Sequence, residues 1–68
     1  MRHIAKFMEV ENKLECYGHI LAPGDILTMI SADFENNSAE FKHPKVGRVL
    51  TGLSKIMDNC KPLKRGNV

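Results

Sequence analysis

Four side chains invite a metal or catalytic reading: Cys16, His19, His43 and Cys60. Cys16 and His19 form a Cys-x-x-His pair, and His43 with Cys60 would complete a four-ligand set of the kind zinc takes. The spacing opposes this. On a strand, positions three apart point to opposite faces, so Cys16 and His19 would diverge. Sixteen residues separate His43 from Cys60, whereas structural zinc sites pair their ligands closely at both ends. The expectation is therefore core cysteine and surface histidine, with no metal. The thiol of Cys16 beside either imidazole could also be drawn as a nucleophile and its base. That chemistry needs an oxyanion site and a cleft as well, and a domain this small rarely offers a pocket of roughly a few hundred Å³. Gly18, Gly24, Gly47, Gly52 and Gly66 are scattered and match no phosphate-cradling or dinucleotide pattern. These residues point to a non-enzymatic protein without a cofactor.

Charge is distributed unevenly. Residues 1–40 carry three bases against seven acids, a net of −4, while residues 41–68 carry seven bases against one acid, a net of +6. Either one end meets an acidic partner, or the two halves face each other in the fold. Lys42, Lys45, Arg48, Lys55, Lys61, Lys64 and Arg65 are the candidate contacts to nucleic acid or to an acidic protein surface. Such cations neutralise phosphates but read no sequence.

The elements that must position these residues follow from periodicity. Residues 4–10 and 14–21 alternate as strands. With Glu11, Asn12 and Lys13 as a three-residue loop, Val10 faces Leu14, Met8 faces Cys16 and Ile4 faces Ile20. That register sets Phe7 opposite Tyr17, near His19, as a second candidate face, suited to a protein partner or, less well, to base stacking. Pro23-Gly24-Asp25 is a turn signal. Residues 26–35 fit either a helix or a strand; the β-branched content favours a third strand with Ile26, Thr28, Ile30, Ala32 and Phe34 on one face. A turn at 36–38 and a short fourth strand at 39–42 follow. The apolar residues Val46, Val49, Leu50, Leu53, Ile56, Met57 and Cys60 recur at three- and four-residue spacing, which predicts a helix from about Pro44 to Asn59. Its opposite side would carry Lys45, Arg48, Gly52 and Lys55 as a cationic ridge. Gly47 and Gly52 would each cost that helix about 1 kcal/mol.

The expected fold class is α+β: a small antiparallel sheet with an N-terminal hairpin, three to four strands in all, packed against one C-terminal helix. Residues 1–60 form the single domain and 61–68 a basic, flexible tail. Sixty-eight residues with 43% apolar content can fold, though near the lower size limit, so a tendency to dimerise is expected. The N-terminus resembles no secretory signal and no apolar run is long enough to span a membrane. A cytoplasmic location with two reduced, buried thiols fits this better than a disulfide. The expected function is a regulatory binding module, acting on nucleic acid through the basic helix and tail. The alternative is a protein-interaction module, such as a viral or mobile-element inhibitor that blocks a host nucleic-acid-processing enzyme.

Overall fold

A computed structural model describes residues 4–63. Its elements are β1 (Phe7–Val10), β2 (Leu14–Cys16), β3 (His19–Leu21), β4 (Ile26–Asp33), β5 (Ser38–His43), β6 (Gly47–Gly52), α1 (Leu53–Asn59) and β7 (Cys60–Pro62). Five strands form one antiparallel sheet in the order β6-β5-β4-β1-β7, and β2 with β3 form a separate hairpin. The coarse expectation of a small, mostly antiparallel sheet with one helix matches this architecture. Three of its details do not.

First, β1 does not pair with the segment that follows it. It lies between β4 and β7, with Met8 opposite both Leu27 and Pro62. Residues 11–13 do form a connection, but the amides of Glu11 and Asn12 donate to the Asn59 carbonyl at 2.7 and 3.0 Å, which ties the loop to the end of α1. The 14–21 segment folds on itself instead, pairing Leu14 with Leu21 and Cys16 with His19. Two residues at positive φ, Tyr17 at 50° and Gly18 at 81°, make the tight turn, the combination a two-residue type I′ hairpin requires. Phe7 is opposite Thr28, not Tyr17.

Second, residues 47–52 are a strand, and only Leu53–Asn59 are helical. Gly47 adopts a φ of 90°, open to glycine at no steric cost, and closes the β5–β6 connection opposite His43. Val49 then points into the core, while Arg48 and Leu50 point out. The helix that remains has seven residues, too few to persist alone. It is held by burial of Leu53 and Ile56 and by a cap from a distant loop. Gly52 offers no side-chain oxygen, so Asn37 supplies two acceptors: its Oδ1 for the Ser54 amide at 2.8 Å and its carbonyl for the Leu53 amide at 3.0 Å. Lys61 and Pro62, placed in the tail by sequence, belong to β7.

Third, β4 is a strand as expected, but its buried face is not the expected one. Leu27 is buried while Ile26 and Thr28 are only partly so. The register passes from Met29 opposite Phe41 to Ser31 opposite Glu40, leaving Ile30 as the extra residue of a bulge. The bulge reverses which positions turn inward, and Ile30 and Phe34 stay exposed.

One core serves the sheet, the hairpin and the helix. It gathers Met8 and Val10, Leu14, Cys16 and Leu21, Leu27, Ala39 and Phe41, Val49, Leu53, Ile56 and Cys60. Both cysteines are buried, and no disulfide joins them. Among the described residues no helix is long and apolar enough to cross a membrane.

Candidate functional site

The hairpin, β6 and α1 converge on an open cleft of about 440 Å³, lined by Cys16, Tyr17, Asn37, Ser38, Leu50, Thr51, Gly52 and Lys55. A space of this size is uncommon in so small a domain, and here it is an open groove at the surface. Tyr17 stands at the hairpin tip with 77% of its surface exposed, and Leu50 on β6 is 57% exposed. Both could have been polar without loss to the core. Tyr17 also occupies the left-handed region, where a bulky L-residue carries a steric cost of about 1–2 kcal/mol. Asparagine would fit that turn better. The ring is therefore held out to solvent at the expense of local stability.

The rest of the cleft is polar. Lys55 Nζ donates to the Glu15 carbonyl at 3.0 Å, and no carboxylate among the described residues lies within ion-pair distance of it. Asn37, at φ 53°, forms the far wall while capping α1. Its loop is shaped by Asp33, whose carboxylate accepts from the Asn36 side chain at 2.7 Å and from the Asn36 and Glu35 amides. Those bonds, Asn36's side chain foremost, hold the Asp33 carboxyl below its usual range.

Cys16 borders the cleft from the buried side, its Sγ 3.9 Å from Thr51 Oγ1. The tight turn makes Cys16 and His19 register partners across the hairpin, not members of one strand, with Cys16 buried and His19 exposed as expected. Even so, no group of three or more metal-ligating side chains occurs among the described residues.

His43 departs further from expectation: it is 4% exposed and organises two turns. Its Nδ1 accepts the Lys45 and Val46 amides at 3.1 and 3.2 Å, and Nε2 is 2.7 Å from Asp25 Oδ2. With both amides donating to Nδ1, the proton sits on Nε2 and is donated to Asp25. The hydrogen bond from His43, helped by the Ala22 amide and opposed by partial burial, lowers the Asp25 carboxyl from its usual value.

The expected cationic ridge is dispersed. Lys45 lies in the β5–β6 turn, Arg48 on β6, Lys55 on α1 and Lys61 on β7. Arg48 Nε donates to Glu40 at 2.8 Å, and Lys61 is 4.0 Å from Glu9. To that extent the basic half of the chain faces the acidic half. Lys42 and Arg48 sit opposite each other on the exposed sheet face. Lys64 and Arg65 lie outside the described residues. Of the expected aromatic face, Tyr17 and His19 are exposed on the hairpin, and Phe7 is half-buried on β1. Sequence reasoning missed Leu50, counted as core, and Asn37, read only as a turn residue. A Tyr-Gly turn between two short alternating runs was the signal for the true hairpin.

Comparison with known proteins finds no matching protein family, curated protein or solved structure.

Proposed function

We propose that this chain is a non-enzymatic protein-recognition module that docks a partner in the cleft between the hairpin tip and β6. The observation that carries this reading is Tyr17: an aromatic ring largely in solvent, on a backbone conformation that disfavours it, lining a ligand-sized space together with the exposed Leu50. Strained residues and aromatic anchors beside a polar rim concentrate at binding sites. The reading covers an adaptor or an inhibitor that occupies a site on its target.

A second reading, nucleic-acid binding, draws on Lys42 and Arg48, paired across β5 and β6, with Lys45 in the turn between them. Its weakness is that Arg48 is already bonded to Glu40.

Amide chemical-shift mapping separates the two, using 12-residue peptides selected from a random displayed library and a 20-nucleotide DNA or RNA. The first reading expects peptides whose shifts centre on Tyr17, Leu50 and Lys55. Shifts confined to Lys42, Lys45 and Arg48 with oligonucleotide, weakening linearly on a log–log salt plot, would replace it with the second.

A further inference from the structure

We infer that the cleft recognises its partner by strand addition: an extended, acidic segment of another protein lies along β6 as a sixth strand of the sheet. This rests on the reading of the cleft given above and specifies its occupant.

The sheet order leaves β6 at one edge, with all six of its residues registered to β5 and none to any other strand. In an antiparallel pair every second residue turns its N–H and C=O away from the neighbour, so half of β6 presents an open ladder. The cleft reaches β6 at its Leu50–Gly52 end. Successive side chains of a strand point to opposite faces, so a cavity over one face touches alternate residues. Here three consecutive residues, Leu50, Thr51 and Gly52, line the same space. That arrangement exposes backbone rather than a single face.

The usual protections of an edge are missing from β6. It contains no proline, its register with β5 runs without a bulge from Ser38 opposite Gly52 to His43 opposite Gly47, and its single charge, Arg48, is directed over the sheet to Glu40. Edges that natural proteins leave flat and unguarded are pairing sites.

Side chains then set the partner's chemistry. Lys55 reaches the cleft with a backbone carbonyl as its only bonded partner among the described residues, which suits a carboxylate on the incoming strand. Tyr17 and Leu50 suit an apolar residue close to it. An acidic extended peptide satisfies both, with main-chain bonds supplying affinity and these contacts supplying selectivity.

The test uses 12-residue peptides recovered from a random displayed library, with affinities measured by fluorescence anisotropy. The expected peptides carry Asp or Glu near an aliphatic residue, and Lys55→Gln weakens them about tenfold. Methylating single backbone nitrogens of the peptide weakens binding at least tenfold at alternate positions and leaves intervening positions unchanged. Alternate amides of β6 exchange at least tenfold more slowly in the complex. Peptides that depend on Tyr17 but ignore N-methylation would overturn strand addition and leave the cleft reading intact. A library that yields no Tyr17-dependent peptide would overturn both. Protection of β6 amides in the peptide-free, self-associated protein would give the edge to a second copy of the chain. Protection by a 20-nucleotide oligomer would give it to nucleic acid. Either result overturns the proposal.

Discussion

Replacing His43 with phenylalanine keeps a ring of similar size in the core and removes three hydrogen bonds: to Asp25 at 2.7 Å and from the Lys45 and Val46 amides at 3.1 and 3.2 Å. Each amide bond contributes about 0.5–1.5 kcal/mol net, and the bond to the ionised Asp25 about 1.5–3 kcal/mol. Asp25 keeps about a third of its side-chain surface in water and recovers part of its share from solvent. The two amides belong to a surface turn, and can do so too. With that recovery the expected loss is about 2–3 kcal/mol, at the low end of the summed range. A domain of this length has a total stability of roughly 3–10 kcal/mol, so the loss is large: the melting temperature should fall by about 10–20 °C. Urea unfolding followed by circular dichroism reads it directly, with an unchanged m-value if the variant keeps its fold. A loss below about 1 kcal/mol would mean that His43 fills space without joining the two turns, and the reasoning would fail.

Asp25→Asn keeps an oxygen acceptor for His43 and the Ala22 amide but removes the charge. Because the native carboxyl titrates below its unfolded value, its stabilisation is complete above about pH 4 and is lost as pH falls through the lower native value. The variant should lose about 1 kcal/mol at neutral pH and show a shallower decline below about pH 4; an unchanged acid limb in urea midpoints would reject this. Asp33 is lowered in the same direction, so Asp33→Asn should flatten a further part of that limb. At Asn37, glycine keeps the positive φ and loses only the cap, at about 1 kcal/mol. Alanine adds a left-handed penalty of about 1–2 kcal/mol. Denaturant titration should therefore rank Asn37→Ala below Asn37→Gly, and the reverse order would contradict the assigned role.

The sequence spoke clearly where a signal was local. Pro23-Gly24-Asp25 turns as expected, with Gly24 at φ 96°, and the strands at 26–33 and 38–43 lie close to their expected bounds. It misled where two periods fitted the same residues. Val49, Leu53, Ile56 and Cys60 of the apparent helical stripe are all buried, so the stripe marked core residues correctly while the element was wrong. A strand followed by a short helix buries the same four, with Leu50 left outside. The glycines decided between them: two helix-breaking positions flank the strand, and long-range pairing with β5 outweighs a helix already weakened at both sites. The N-terminal register failed because Met8 and Val10 can pair apolar faces with β2 or with β4 and β7, and local alternation does not rank distant partners. His43 gave no signal at all. Its burial depends on Asp25, eighteen residues away, and on its own turn, and neither is visible in spacing. The cleft was half legible: Tyr17 was marked as exposed, but Leu50, Asn37 and the end of β6 become a site only when the hairpin tip comes to lie beside them.

The most direct test of the cleft is Tyr17→Asn, measured for stability and binding in the same preparation. Asparagine relieves the left-handed turn, and Tyr17 is too exposed to be missed by the core. The account predicts a gain of about 1 kcal/mol and a melting temperature about 4–8 °C higher, together with loss of affinity for peptides selected on the unmodified protein. A variant that melts lower, or that still binds those peptides with full affinity, would contradict it.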